Sequence, residues 1–362
     1  MKNSLENARK EINRIDSEMA KLFEERMGCA AIIAEYKKER GLPILDEQRE
    51  KEIIKKNSLF IHDEVIKEYY VSFLKNVMAT SRAYQARLIS GVRVAFSGTV
   101  GAFAHIAAKK LFPEAEIVAY GDFKSAYKAV EDGECDLCVL PIENSYNGEV
   151  GQVTDLMFSG SLYVNQMMEL AVDQALLGIP GARLEDIKTV ISHPQALGQC
   201  SEYIRKHGFS AEEDSNTALA AKRVFEVGDK SLGAIASEDA AEIFGLEVLD
   251  KNINEARSNT TRFAVFSRVE AERGYKDFGT HSIILFTVRN EAGALARAID
   301  VIGGHGFNMR TLRSRPMKEL LWEYYFYVEA EGNVKTEKGE KMMRELSEFC
   351  DKLKFVGSYV KY

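Results

Sequence analysis

The sequence predicts a multidomain chain with three folded regions in series: an all-α three-helix domain at 1–90, an α/β domain at 91–270 and a small α+β module at 280–362. Three observations carry this. Up to residue 90, apolar residues recur at alternating threes and fours, and nothing reads as a strand. From Val92, short strand-like runs alternate with helical stretches, the pattern of α/β sheets. After a polar linker, Ala271–Gly279, the order becomes strand, helix, strand, strand, helix, strand, which is the ferredoxin-like βαββαβ pattern.

At 362 residues, two or three domains each have enough chain to bury a core. No apolar run approaches the roughly 18–20 residues of a membrane span, and Met1-Lys2-Asn3-Ser4 opens no signal peptide, so a cytoplasmic protein that does not engage a membrane is expected. The net charge of −7, with no sustained basic stripe, argues against a nucleic-acid partner. Five scattered cysteines fit a reducing compartment. Cys135-x-x-Cys138 is the one suggestive spacing. However, Cys138-Val139-Leu140 reads as a buried strand with no second Cys or His pair, so no metal site is expected.

The first helix is expected from Ser4, as N-cap, to Arg40, with Gly41-Leu42-Pro43 as the stop. Ala8, Ile12, Ile15, Met19, Leu22, Ala30 and Ile33 form its stripe. A second helix is expected over Asp46–Ser58. A third is expected over Asp63–Leu88, with Ile66, Tyr70, Phe73, Val77, Tyr84 and Leu88 as its seam. Several charges fall on shared faces. Arg26 and Lys37, eleven residues apart, are separated by about 1100° of rotation and point the same way. Asp46, Arg49 and Glu50 share a face of the second helix, and Ser81 and Gln85 share one on the third. Such a cluster suits a small dianion carrying a hydroxyl, and it also suits solvated helix faces laced by ion pairs.

Ala8-Arg9-x-x-Ile12-x-x-Ile15-Asp16, Glu25-Arg26, Tyr36-Lys37, Asp46-x-x-Arg49-Glu50 and Ser81-x-x-x-Gln85 resemble, in order and spacing, the all-helical chorismate mutase family. The resemblance implies a pericyclic rearrangement without a covalent step, driven by holding chorismate in a compact shape. It assigns Arg9, Arg26 and Arg49 to the carboxylates, and Lys37 and Gln85 to the ether oxygen of the breaking bond. It gives Asp46 and Glu50 to the ring hydroxyl and places Ser81 in the pocket. Arg9 and Lys37 lie 28 residues apart, about 42 Å along a straight helix, so they cannot serve one small ligand within one chain. Arg9 must come from a partner's helix, as the family's intertwined dimer implies, or it is not a site residue.

In 91–270, strands are expected at Val92–Phe96, Glu116–Ala119, Leu137–Leu140, Thr189–Ser192, Ser231–Ala236 and Phe263–Phe266. Helices are expected at Phe103–Leu111, Phe123–Glu131, Gln195–Lys206, Thr217–Val227 and Ser237–Phe244. Polar clusters fall at strand ends, where α/β sheets bind ligands. Asn259-Thr260-Thr261-Arg262-Phe263 sets a hydroxyl, a guanidinium and an aromatic at the mouth of a buried strand. That group suits gripping a carboxylate and moving a proton, although alone it reads more readily as a strand edge with a surface arginine. His193 before Pro194 is either catalytic or satisfied in its turn. Gly98-x-x-Gly101 lacks the dinucleotide fingerprint, so no NAD site is expected.

Gly98-x-x-Gly101, Pro141-Ile142-Glu143-Asn144-Ser145, Ser192-His193-Pro194-Gln195, Gly245-Leu246 and Asn259-x-Thr261-Arg262-Phe263 resemble the prephenate dehydratase family. The resemblance implies two lobes around a cleft, a periplasmic-binding-protein-like scaffold, and a decarboxylation coupled to loss of the ring hydroxyl. It implies Thr261 as the catalytic hydroxyl and Arg262 as its charged neighbour, with Asn144, Ser192, Gln195 and Thr217 lining the pocket. No cofactor is implied. Ala102-Phe103-Ala104 stands where the family usually has hydroxyl residues, so the side chains of that turn are not expected to donate to substrate, and any contribution there is expected from backbone amides.

In 280–362, strands are expected at Ser282–Val288, Met309–Ser314, Glu323–Glu329 and Phe355–Tyr359, with helices at Leu295–Ile302 and Thr336–Phe349. Gly293-Ala294-Leu295 and Ser314-Arg315-Pro316 resemble the ACT regulatory domain, whose paired modules bind phenylalanine at such positions. Arg313 stands where that family has Glu, which puts the ligand in question. Together the resemblances imply a bifunctional enzyme of phenylalanine biosynthesis. It would take chorismate and prephenate, answer to L-phenylalanine as allosteric inhibitor, and form a homodimer or larger homo-oligomer. The rivals are arogenate as substrate, and a non-catalytic amino-acid sensor. The latter predicts loss of the cleft's polar residues, yet Asn144, Ser192 and Thr261 are present.

Overall fold

The computed structural model describes residues 2–255, 259–270, 280–317 and 323–360, so the expected linker lies outside the described residues. Two compact units emerge: Met1–Arg93 with Gly133–Asp136, and Val94–Asp132 with Leu137–Tyr362.

The first unit is helical. Helix α1 (Lys2–Arg40) packs on α3 (Glu64–Ser90), and α2 (Glu47–Ser58) also packs on α3. Ser4 lies inside α1 and does not cap it. Asp46 and Asp63 are the N-caps of α2 and α3, their carboxylates accepting from Arg49 N at 2.9 Å and Val65 N at 2.9 Å. The α3 seam differs from the expected one. Leu74, Met78, Ser81 and Gln85 are buried, one position on from Phe73, Val77 and Tyr84. Phe73, Tyr84, Leu88 and Ile66 face outward. On α1, Ala30 and Ala34 are buried, whereas every residue from Ser4 to Glu25 is exposed, including Ile12, Ile15, Met19 and Leu22.

In the second unit, β1 (Arg93–Ser97), α4 (Phe103–Leu111), β2 (Glu116–Tyr120), α5 (Phe123–Glu131), β3 (Leu137–Asn144), β4 (Gly148–Glu149), α6 (Gly151–Ser159) and β5 (Tyr163–Ala171) begin the first lobe. The second lobe holds β6 (Ala175–Gly178), β7 (Thr189–Ser192), α7 (Pro194–Gln199), α8 (Ser201–His207), β8 (Ser210–Glu213), α9 (Thr217–Val227), β9 (Leu232–Ala236), α10 (Glu238–Phe244) and β10 (Glu247–Asp250). Strand β11 (Thr260–Ser267) then returns to the first sheet. The sheet orders are β2-β1-β3-β11-β5, with β4 on β3, and β10-β6-β9-β7-β8. The two crossings between sheets are tied together. Val172 N donates to Asn259 O at 2.8 Å, and Ile253 N donates to Gln174 O at 3.0 Å.

Sequence periodicity misses β5, β6, β8, β10 and α6. In β5 the buried positions do not alternate, and β8 is exposed throughout. The expected helix from Gln195 breaks at Cys200 into α7 and α8.

The C-terminal residues form β12 (Thr280–Val288), α11 (Ala294–Gly304), β13 (Asn308–Pro316), β14 (Tyr324–Glu331), α12 (Glu337–Leu346) and β15 (Cys350–Val360), with sheet order β13-β14-β12-β15. The last helix is shorter than expected and β15 longer. Ile284, Phe286 and Val328 of the sheet form a core with Ala298 and Ile302 of α11 and Met342 and Leu346 of α12.

This module docks on the first lobe. A Cβ at Gly357 would collide with the backbone of Val164 in β5, so only glycine permits the approach of β15. The Lys354 ammonium donates to the carbonyls of Met157 and Gly160, and Lys352 Nζ donates to Phe158 O at 3.3 Å. Both cations thus sit at the C-terminal end of α6, where the helix dipole favours positive charge. Burial, with Lys352 next to it, lowers the Lys354 pKa to about 8. Among the described residues, no helix is long and apolar enough to cross a membrane, and no acidic, His and Cys cluster could hold a metal ion.

Candidate active sites

Strands β3 and β11 run antiparallel, which lays two of the sequence clusters side by side. Thr261 pairs with Asn144, and Arg262 with Glu143. The Asn144 oxygen Oδ1 accepts from Tyr146 N at 3.0 Å and Asn147 N at 2.9 Å. These two amides fix the orientation of the carboxamide, so the Nδ2 end must face β11. It donates to Asn259 Oδ1 at 2.8 Å and to Thr261 Oγ1 at 3.0 Å. Thr261 therefore receives a hydrogen bond from Asn144 and keeps its own O–H to give. Thr260 N donates to Ser145 Oγ at 2.9 Å, which closes the cluster.

Arg262 corrects the sequence reading. Successive strand residues face opposite ways, so when Thr261 faces Asn144, Arg262 points to the other side of the sheet. There it grips a carboxylate of its own chain. Nη2 donates to Glu329 Oε1 at 2.8 Å and to the Tyr359 hydroxyl at 2.9 Å, and Nη1 donates to Glu329 Oε2 at 3.1 Å and Glu143 Oε2 at 3.2 Å. The side chains are 19% and 5% exposed for Arg262 and Glu329. Burial opposes the charged form of both. The hydrogen bonds and charge between them outweigh it, holding the guanidinium charged and the Glu329 carboxyl below its ordinary range. Removing one member of such a buried pair costs about 3–5 kcal/mol.

The other expected wall residues belong to the second lobe. Ser192 is fully buried, and its hydroxyl donates to Ile235 O at 2.5 Å, so it braces β9 and does not line a pocket. His193 caps α7, Nδ1 accepting from Gln195 N at 3.2 Å, which leaves Nε2 as the protonated nitrogen of the neutral ring. The Gln195 side chain is exposed, and Thr217 is half-buried at the first turn of α9. Asn216 caps α9 and also accepts from Thr99 Oγ1 at 3.3 Å, so the Gly98–Gly101 turn of the first lobe meets that helix start. Thr99 is a hydroxyl the sequence reading passed over in this turn. His105 holds the turn from the other side, Nδ1 accepting from Gly101 N at 3.3 Å, and burial, with Lys109, lowers its pKa.

In the helical unit, the Arg26 guanidinium donates to Ser81 Oγ, and the Lys37 ammonium to the carbonyl of Ile44. Glu50 is paired with Arg82, which the sequence reading did not single out. Gln85 is 7% exposed, and its carboxamide oxygen has no hydrogen-bond partner. Asp46 caps α2, one carboxylate oxygen accepting from Arg49 N. Arg49 is exposed and lies 3.5 Å from Glu52. Arg9 is exposed.

The C-terminal module has a cavity of about 540 Å³ lined by Asn290, Leu295, Ser314, Tyr324 and Phe326 among others. Gly293, at φ 84°, turns the chain into α11 beside it, and Ala294 is buried. The neighbours of Ser314 point elsewhere. Arg313 pairs with Glu143, and Arg315 donates to Asp155 Oδ1 at 2.9 Å and lies 3.4 Å from Glu149. Pro316 borders a different cavity, near Phe158 and Tyr325. Arg315 thus docks the module on the first lobe, and neither Arg313 nor Arg315 lines the cavity.

The prephenate dehydratase family model matches residues 94–271, and the chorismate mutase type II model matches residues 8–86. A bifunctional chorismate mutase/prephenate dehydratase of Aquifex aeolicus is 33% identical over 366 residues, covering 99% of this chain and 98% of that one. The chain belongs to the bifunctional chorismate mutase/prephenate dehydratase family. Arogenate dehydratase/prephenate dehydratase 1 of Arabidopsis thaliana is 34% identical over 288 residues, 75% of this chain and 72% of that protein. The structure of prephenate dehydratase from Arthrobacter aurescens in complex with L-Phe superposes with a TM-score of 0.68 at 26% identity, covering 75% of this chain and 90% of that one.

The dehydratase match ends at residue 271, ahead of the C-terminal module, yet Glu329 and Tyr359 of that module touch Arg262 inside the match. No sequence signal marks Glu329 as a partner, because the two residues lie 67 positions apart in regions with unrelated patterns. Glu143 stands inside the Pro141–Ser145 cluster, but the sequence reading gave it no role.

Proposed function

We propose that the chain converts chorismate to prephenate in its helical unit and prephenate to phenylpyruvate in its α/β lobes. The observation that carries the second step is the Asn144–Thr261 pair. Prephenate loses carbon dioxide and its ring hydroxyl, and aromatisation supplies the driving force. The departing hydroxyl leaves as water if it is protonated as its bond breaks. Thr261, its oxygen held by Asn144 and its hydrogen free to give, is suited to that donation. Assaying the purified chain from chorismate to phenylpyruvate tests the reading. Accumulation of prephenate without phenylpyruvate would overturn it.

For the mutase, Lys37 and Gln85 are the proposed donors to the ether oxygen, Arg26 binds a carboxylate and Glu50 accepts the ring hydroxyl. The buried carboxamide oxygen of Gln85 has no partner, which supports a ligand or a turned carboxamide there, since such an atom is costly unless something binds it. Arg9 is proposed to reach the site from a second copy of the chain. The exposed run Ile12, Ile15, Met19, Leu22 on α1, with Phe73, Tyr84 and Leu88 on α3, supports a helical homodimer. Mixing an Arg9→Ala chain with a Lys37→Ala chain is expected to restore mutase turnover, because mixed dimers hold one intact site. No recovery after verified subunit exchange would mean that Arg9 does not act across the dimer.

The C-terminal module is read as a ferredoxin-like ACT domain that binds L-phenylalanine in the cavity beside Leu295 and Ser314. Its strand and helix order and the L-Phe complex of the Arthrobacter aurescens dehydratase support this. Inhibition of dehydration from there requires a coupling of typically about 1–3 kcal/mol between the sites. Gly293→Val is expected to weaken binding and inhibition together. A Cβ there meets nothing within 4 Å, so the penalty is the strain of a β-branched residue at φ 84°. Calorimetry showing no phenylalanine binding to the wild-type chain at millimolar concentration would leave the cavity without this ligand.

A further inference from the structure

The two faces of the β3–β11 pair do different things. On one face Asn144 holds Thr261. On the other, the next residue of each strand, Glu143 and Arg262, is clamped by the C-terminal module. Arg262 forks onto Glu329 through both terminal nitrogens at 2.8 and 3.1 Å. The Tyr359 hydroxyl accepts from Arg262 and donates to Glu329, while Tyr327 donates to Glu329 Oε2 at 3.3 Å. Glu143 is held from two sides, by Arg262 and by Arg313. A ladder irregularity with β3 follows directly at Arg262/Phe263, while on its other edge β11 pairs regularly with β5 from Thr260 to Val265, so the clamp acts on the β3 side of the strand start.

We propose that Glu329, a residue of the C-terminal module, is a positioning residue for the dehydration step: with Tyr359 it holds Arg262 and so fixes the strand end from which Thr261 presents its hydroxyl. A bidentate carboxylate–guanidinium pair sets direction as well as distance, which a single hydrogen bond does not. Thr261 and Arg262 share a peptide unit, so a shift of the Arg262 backbone, released when its head group is no longer held, moves the hydroxyl. Proton donation is sensitive to such movement, and misplacement by about 1 Å can cost 100-fold in rate. The module is then part of the dehydratase even when its cavity holds nothing.

The inference rests on Thr261 being the donor and is independent of any ligand in the module. In the full-length chain, Glu329→Gln is expected to lower kcat for prephenate by about 10- to 100-fold with KM little changed, because placement and not binding is lost. Mutase turnover in the same preparation should be unchanged. Arg262→Gln should fall to a similar kcat, and the double variant should be no worse than the poorer single one, since both act through one contact. Multiplying losses would overturn the proposal, as would a Glu329→Gln enzyme with wild-type kcat. If Glu329→Gln does not fold, as judged by thermal unfolding and near-ultraviolet dichroism, Tyr359→Phe decides. It removes one hydroxyl and is expected to lower kcat several-fold, and an unchanged kcat would overturn the proposal. Absence of dehydration in the wild-type chain would overturn it together with the reading of Thr261.

Discussion

Thr261→Ala is expected to remove phenylpyruvate formation by about 10²–10⁴-fold, the usual worth of a positioned proton donor. The substitution deletes a half-buried hydroxyl at a strand start and leaves the buried run Phe263–Ser267 intact, so the first lobe should stay folded. Mutase turnover should be unaffected. Thr261→Ser keeps an oxygen within reach of Asn144 Nδ2 and should retain much of the rate. If serine and alanine lose activity equally, Thr261 matters through its methyl group, and the donor is another residue. His193, with Nε2–H outward from its helix cap, is then the next to test.

The second large effect is expected in the helical unit. Lys37→Ala should slow chorismate rearrangement by about 10²–10³-fold, as does the loss of one donor at a developing oxyanion. The same variant should dehydrate supplied prephenate at the wild-type rate. Lys37 also holds the Ile44 carbonyl ahead of α2, so KM for chorismate should rise as that segment loosens. A near wild-type rate from chorismate would mean that the ammonium does not face the breaking bond.

The sequence made the strand ends legible because β3 and β11 are short apolar runs that each meet a polar cluster. It left the direction of Arg262 open. Alternation tells that neighbours face opposite ways, but both faces of β11 are covered, one by the lobe and one by the C-terminal module, so burial gives no sign of which is which. The helices show the same ambiguity. On α3, apolar residues occupy more than one face, and the period picked Phe73 and Tyr84 where the chain itself buries Leu74 and Met78. In β13, Ser314-Arg315-Pro316 reads as one motif, yet consecutive strand residues diverge to a cavity, a salt bridge and a second cavity. Asp46 reads as part of the α2 face, but its first structural task is to cap that helix, because an acidic residue at a helix start accepts from the free backbone amides.

The Gly357 contact has an engineering consequence. On the reading of this module as regulatory, exchanging it for another is a natural way to retune the enzyme's response. Here the graft would have to carry more than a cavity. It would need glycine where β15 meets Val164, lysines to close the end of α6, arginines for Glu143 and Asp155, and an acid with a phenol for Arg262. A chimera built by cutting in the linker and ignoring these points should lose the host's turnover before it acquires the donor's response.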